Sequence, residues 1–423
     1  MVATPNWLAG ARRRWRSLAR PSAPTAPVRN SALDGLRGVA IVLVVLSHSW
    51  LILTTTDLEI HPALLNLLRS GNVAVSIFLV VSGFLLTRSL LADIGPRRGP
   101  DGAVRLAPAH HPWRALARRW IRLSAQVYPL ALVILVVSVL DPTDILPLAQ
   151  TRDSLFRVVT YSWNTYLQSS SILARPDLGH LWYTSVYLQV AVVLVVLVRV
   201  LGRRRWALLL ALTVALVLVT AWRSYALVTE GEALTLLRTT ARADGMLWGA
   251  LGATAWPWLA RAKEAAGALT ATGLLGLTGL VLSIGYSDAY LRWAGVATNM
   301  FTLFVIVGVV LAPTSTGARL LGNRLLALLG RHSLATYIWH YPVFWAVARH
   351  TTAWTEPPRV AVSLVVVAVL VAVTTRWVER PLAALLERLL ARVPDRGRPA
   401  LPEVSPAVDA GQPSPAPAEP ARR

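Results

Sequence analysis

The chain contains no cysteine in 423 residues and only one lysine, Lys263, among its 42 basic side chains. Without cysteine there is no disulfide framework, no thiol nucleophile and no thiolate-bound metal. Charge is scarce as well: Asp, Glu, Lys and Arg make up 15% of the residues, against about 25% in soluble domains. A mean hydropathy of +0.52 and an apolar share of 55% complete the exclusion of an ordinary soluble protein. The first 33 residues also lack an apolar core. They are basic and polar, with Pro21, Pro24 and Pro27, and so do not read as a cleavable signal peptide.

What the sequence does contain is apolar blocks of bilayer length, roughly 17–25 residues each. Ten spans are read, at about 36–56, 71–88, 125–141, 181–199, 206–222, 244–260, 267–286, 293–312, 325–348 and 360–377. The net charge of +21 could point to nucleic acid, but no soluble basic domain carries it. The positive-inside rule accounts for it better. With the N-terminus in the cytoplasm and ten crossings, 30 of the 42 basic residues fall in cytoplasmic segments and 10 in external ones. The external ten include Arg175, Arg223, Arg242 and Arg349, and the remaining two, Arg37 and Arg331, lie at inner span ends. The expected fold is an all-α polytopic membrane protein of about ten transmembrane helices with both termini cytoplasmic. Residues 1–33 form a basic arm, 34–385 the membrane domain, and 386–423 a tail that is rich in Pro and Ala from Val393 onward and expected to be disordered. The longest external loop, about 142–180, has an aromatic segment, Leu155–Tyr166, suited to the membrane surface. No internal repeat of the transporter kind is visible.

Ionisable residues inside spans are costly and mark candidate sites. In span 1, Asp34-Gly-Leu-Arg37 leads to His48. Eleven residues at about 100° each bring Arg37 and His48 within about 20° of one helix face, roughly 16 Å apart. Arg37 would sit at the cytoplasmic end and His48 in the outer half. An arginine fork suits phosphate; a neutral imidazole suits proton abstraction from a hydroxyl. Snorkelling of Arg37 and a structural hydrogen bond at His48 are the plainer readings. Arg119 and Arg122, three residues apart before span 3, share a face and could clamp phosphate. In span 9, Tyr337 and His340 precede Pro342, a kink former, and could line a cavity or bond another helix. His180 opens span 4. Arg242 and Asp244 open span 6 as a self-neutralising ion pair, and Glu379-Arg380-Pro381 closes span 10.

In this order, these segments resemble the acyltransferase 3 family of integral membrane acyltransferases. The likeness covers about residues 30–385. It rests on the Arg-x10-His pattern (Arg37, His48), Phe78-Leu-Val-Val-Ser82-Gly83-Phe84, the Arg-x-x-Arg pattern (Arg119, Arg122), Asn164, His180-Leu-Trp182, Arg242-Ala-Asp244, Ser333 to Pro342, and Glu379-Arg380-Pro381. The resemblance implies an O-acyltransferase in the plasma membrane of a bacterium. It implies acyl-coenzyme A as a cytoplasmic donor substrate, and a sugar, glycolipid or polysaccharide hydroxyl outside as acceptor. No bound cofactor, metal or nucleic acid is expected. It implies His48 as the essential histidine and Arg37, Arg119 and Arg122 as the essential arginines. Where many members read Trp-Ser-Leu-Ser-Val-Glu-Glu-Gln, this chain reads Trp182-Tyr-Thr-Ser-Val-Tyr187-Leu-Gln189, so both glutamates are lost. If that glutamate orients or recharges the histidine, another group must do so here, Tyr187 or Asp34, or the subfamily simply differs. The proline that usually follows Arg-x-x-Arg is displaced to Pro129. A transporter or flippase is the competing reading, and a non-catalytic scaffold the third; neither explains a phosphate-binding arginine set together with a buried Arg–His face.

Overall fold

The computed structural model describes residues 30–53, 61–94, 96–98, 104–106, 112–284 and 289–392. Most of the expected arm, 1–33, and the part of the tail beyond Arg392 lie outside these. Helices follow in chain order: α1 (Ser31–Ser47), α2 (Pro62–Leu68), α3 (Gly71–Ile94), α4 (Pro112–Leu140), α5 (Leu148–Val159), α6 (Trp163–Ser170), α7 (Trp182–Leu201), α8 (Arg205–Glu230), α9 (Glu232–Leu237), α10 (Thr239–Arg242), α11 (Asp244–Thr254), α12 (Trp256–Leu259), α13 (Ala266–Ser283), α14 (Gly295–Leu311), α15 (Thr316–Leu321), α16 (Arg324–His350), α17 (Glu356–Thr374) and α18 (Arg380–Arg392). A small antiparallel hairpin, β1 (Pro96–Arg98) with β2 (Val104–Leu106), lies between α3 and α4.

Helix ends follow local chemistry. The Asn30 side chain accepts from the Ala32 amide at 2.9 Å and caps α1; Asn323 caps α16 in the same way from Leu326, also at 2.9 Å. Proline occupies the first turn of α2 and of α17, where a missing N–H costs nothing. Helix α3 is central: every residue from Val73 to Val81 is buried, so it reads as apolar all round. Helix α8 instead turns Trp206, Leu210, Val214, Val217 and Leu218 outward, the face a lipid-exposed helix presents.

Among the described residues, eight helices are long and apolar enough to cross a membrane, matching all the expected spans but the sixth and ninth. At the sixth, the chain breaks into α10, α11 and α12. At the ninth, α16 has the length, 27 residues, but its polar side chains lower its hydropathy. Expected boundaries shift elsewhere too. Helix α1 stops at Ser47, and a 3-10 turn, Ser49–Leu51, follows His48. The loop at 142–180 is mostly helical, holding α5, α6 and the 3-10 turn Pro176–Leu181. Helix α18 runs to Arg392, so residues 386–392, expected in a disordered tail, are helical.

Helices α1 and α16 pack with backbones touching. A Cβ on Gly38 would fall on the carbonyl of Leu326, and one on Gly330 on the carbonyl of Asp34; one on Gly35 would fall on the carbonyl of Leu321, at the end of α15. Small residues at a helix crossing permit this approach. The two helices so joined carry Arg37, His48, Tyr337 and His340.

Candidate active site

Four arginines converge at one end of the bundle. Arg37 from α1 and Arg118, Arg119 and Arg122 from α4 line a cavity of about 290 Å³, with Ser82, Tyr183, Tyr187 and Leu334 among its other walls. Arg37 Nε is buried and makes no hydrogen bond within the described residues. Arg119 bonds its own helix, Nη1 to Ala115 O at 3.1 Å. Arg122 Nε donates to Glu379 at 2.9 Å, and Arg118 forms a two-pronged pair with Glu387 at 2.6 and 2.9 Å. Glu379 therefore lies behind Arg122 rather than on the cavity wall. Its second oxygen accepts from Gln126 at 2.8 Å, and Gln126 in turn accepts from Thr374 at 2.8 Å and Trp339 at 3.3 Å. The turn that delivers Glu379 is a π-helical segment, Thr375–Glu379, whose extra residue re-aims the side chain.

Further along the same helices sits a histidine cluster. His48 caps α1, and its Nδ1 lies 3.0 Å from His340 Nε2. His340 Nδ1 is 2.8 Å from the Tyr337 carbonyl and 3.0 Å from that of Thr336. Carbonyls only accept, so Nδ1 of His340 carries the proton and a neutral ring presents its lone pair at Nε2. His48 must then donate from Nδ1, which leaves the lone pair of its neutral ring on Nε2. This relay does for His48 what the missing glutamates were expected to need. Tyr187 stacks on Tyr183 at 6.1 Å in the arginine cavity, and Asp34 lies fourteen residues from His48 on the first turn of α1, about 20 Å along the axis. Neither orients His48.

Pro342 explains the third histidine. Helix α16 continues through Pro342, which has no N–H to give the Ile338 carbonyl four residues earlier. His180 Nε2 takes that carbonyl at 3.2 Å, and the Tyr337 hydroxyl donates to the backbone carbonyl of His180. His180 Nδ1 is left as a buried acceptor with no partner among the described residues. Tyr341, which the sequence reading did not single out, ties the cluster together. Its ring centroid lies 4.7 Å from that of His48 and 4.8 Å from that of His180. Tyr337 and Tyr183, 5.2 Å apart, stand between this cluster and the arginine cavity.

Arg242 and Asp244 do not pair with each other. Asp244 binds Arg223 of α8, and accepts from Asn299 at 2.8 Å. Arg242 instead lies against the rings of Tyr290 at 4.9 Å and Trp182 at 5.6 Å, with none of its nitrogens hydrogen-bonded among the described residues. Residues two apart do not face each other on a helical path, and Arg223 from the neighbouring α8 meets the carboxylate instead. Arg223 and Arg175, both expected in external loops, are buried ion-pair members at 0% and 1% exposure. Asn164, also read in that loop, is buried and donates to Thr239 at 2.9 Å, while Gln189 donates to its side-chain oxygen at 3.0 Å.

The structure thus brings Arg37, Arg119, Arg122 and Tyr187 into one cavity and His48, His180, Tyr337 and His340 into one cluster. Arg242 and Asp244 stand apart from both. Among the described residues no group of His, Asp and Glu could hold a metal ion. The residues missed, Tyr341, Gln126 and Arg223, carried weak signals: a phenol and an amide among apolar neighbours are not ionisable at neutral pH, and a cation near a span end reads as loop.

The family described as an acyltransferase domain matches residues 30–377. The O-acetyltransferase OatA of Staphylococcus aureus strain NCTC 8325 / PS 47 is 22% identical over 369 residues, covering 83% of this chain and 56% of its own length. OatA of strain COL gives the same identity and the same coverage, 22% over 369 residues. The chain therefore spans about half the length of these curated relatives. No solved structure matches. With the family pattern running through the arginine cavity and the histidine cluster alike, the chain belongs to the acyltransferase 3 family.

Proposed function

We propose that the protein is a multi-pass O-acyltransferase of a bacterial plasma membrane. In this reading it moves an acetyl group from cytoplasmic acetyl-coenzyme A to a hydroxyl of an extracytoplasmic sugar, glycolipid or polysaccharide. The observation that carries the reading is the pairing, along α1, of Arg37 in a cavity completed by the arginines of α4 with His48 at the other end, held by His340 of the backbone-locked α16. Both termini lie in the cytoplasm, in keeping with the 30-to-10 distribution of basic residues, so the arginine cavity opens inward.

Arg37, Arg119 and Arg122 hold the phosphates of coenzyme A. The eleven residues from Arg37 to His48 span roughly 16 Å, a distance the extended pantetheine arm covers, and bring the thioester to the histidine level. His48 Nε2 takes the proton of the acceptor hydroxyl as its oxygen attacks the thioester carbonyl. The tetrahedral intermediate collapses with cleavage of the carbon–sulfur bond. The departing thiolate recovers the proton from His48, and the products are the O-acyl ester and free coenzyme A. The test is transfer of label from acetyl-coenzyme A to envelope glycans by membranes containing the protein. His48→Ala should abolish transfer while acetyl-coenzyme A still binds; unchanged transfer in that variant refutes the role given to His48.

A further inference from the structure

A second cavity, of about 510 Å³, opens at the end of α16 remote from the arginines. Its size falls within the range of about 300–1,000 Å³ typical of small-molecule sites. We propose that this cavity receives the acceptor, that the acceptor is an electrically neutral glycosyl group, and that Trp345 and Tyr341 conduct its hydroxyl to His48. The proposal rests on the O-acyltransferase reading and adds where the acceptor binds and what charge it carries.

The path is written along one face of α16. Leu334 borders the arginine cavity; Trp345 and Ala348 border the second one. Between them come Tyr337 and Tyr341. The positions 334, 337, 341, 345 and 348 follow the three-and-four spacing of a single helical stripe. Leu334 and Trp345 are eleven residues apart, about 16 Å along the axis. The part of the stripe from Leu334 to Trp345 therefore spans the same length as Arg37 to His48. Tyr341 is the link: its ring lies 6.5 Å from that of Trp345 on the cavity side and 4.7 Å from that of His48 on the other.

Charge separates the two cavities. Among the described residues, four arginines and no carboxylate line the first. Two arginines, Arg175 and Arg349, and two aspartates, Asp144 and Asp177, line the second, and they are spent on one another. Arg175 bonds Asp177 at 3.0 and 2.7 Å, Asp144 at 2.8 Å and Thr151 at 2.8 Å. Burial opposes its charge, yet the two carboxylates hold the guanidinium above its ordinary pKa. Arg349 lies 3.8 Å from Asp144 and 3.7 Å from Asp141. Such a balanced floor exchanges hydrogen bonds with hydroxyls but offers no unspent charge to an ion. The remaining wall, with Ile145, Leu146, Pro176 and Trp345, is apolar. A sugar ring has both faces this arrangement asks for: C–H groups for the indole and hydroxyls for the floor.

The absence of cysteine makes the test clean. Ile145 is 91% exposed at the cavity rim, so Ile145→Cys places a single thiol there without disturbing packing. In producing cells, that variant is assayed before and after modification with a bulky, membrane-impermeant maleimide. Two quantities are read: the acyl ester released from envelope glycans by mild base, and the acetyl-coenzyme A affinity of the purified protein. Modification should lower ester formation at least tenfold and leave donor affinity within twofold. Ester formation at the unmodified rate overturns the site, as does a parallel loss of donor affinity. Mass spectrometry of the acylated glycan tests the charge argument: an ester on a neutral sugar supports it, and one on an anionic sugar overturns it. Should the wild-type protein form no ester at all, the fault lies with the O-acyltransferase reading itself.

Discussion

His340→Phe keeps an aromatic ring in a fully buried site and removes the nitrogen that accepts the His48 Nδ1 proton. The His48 donor is then left facing carbon. A buried donor without its partner costs about 1–3 kcal/mol. The ring can escape that cost only by turning or changing tautomer, and either move takes the Nε2 lone pair out of line. If the loss falls on the transition state, the transfer rate drops by about 5- to 150-fold, at 1.36 kcal/mol per factor of ten. The assay is the rate of label transfer from acetyl-coenzyme A at saturating donor, run beside a direct measurement of donor affinity. His340→Gln is the control, since its side-chain oxygen can again accept from His48 Nδ1; it should recover part of the rate. Donor affinity should stay unchanged in both variants, because the arginine cavity does not include His340. A wild-type rate in His340→Phe would refute the relay. So would an equal loss in both variants accompanied by weakened donor binding, which would mean that the substitutions merely disturb the bundle.

Four further outcomes are expected. Gly38→Val drives a side chain into the Leu326 carbonyl and should destabilise the protein by about 1–3 kcal/mol, read as a lower Tm in detergent. Arg223→Met leaves Asp244 buried without its cation, at a cost of about 3–5 kcal/mol; adding Asp244→Leu should restore much of the Tm, and a Tm no better than that of the single variant contradicts the pairing. Arg122→Lys loses the planar fork, and because Arg122 is 47% exposed the effect on acetyl-coenzyme A Kd should be modest, a rise of about 3- to 10-fold with kcat unchanged. Raising the salt concentration should weaken donor binding in wild type and less so in Arg119→Gln, as measured by equilibrium binding.

The parts legible in the sequence were those governed by periodicity and by the cost of burying charge. Arg37 and His48 could be placed on one face because eleven residues close three turns, whatever surrounds them. Arg119 and Arg122 could be grouped for the same reason. The partners could not, because partnership is decided between helices. Arg242 and Asp244 look paired two residues apart, yet Arg223, 21 residues before Asp244, holds that carboxylate. The loss of both glutamates after His180 pointed to Tyr187 or Asp34, but the residue that meets His48 comes from 292 positions further on. One tertiary contact was readable in principle. Pro342 announces a carbonyl at Ile338 without a helical donor, and a buried polar side chain must come to it; only the identity of that side chain, His180, needed the fold. The sixth and ninth segments depart from a plain apolar span in opposite ways, one broken into short helices and one a single long helix with polar side chains.

The glycine contacts between α1 and α16 bear on the proposed reaction, in which two substrates would reach one point from opposite sides. Backbones that touch at Gly38 and Gly330 cannot slide past one another without a clash, so the two helices that carry Arg37 and His48 are held in one register. Traffic then has to be controlled by what stands in the passage: the Tyr183–Tyr337 pair on one side of the histidines and Tyr341 on the other. For the acyl transfer proposed above, these rings mark the two points at which a thioester from one side and a hydroxyl from the other would have to pass to reach the histidines.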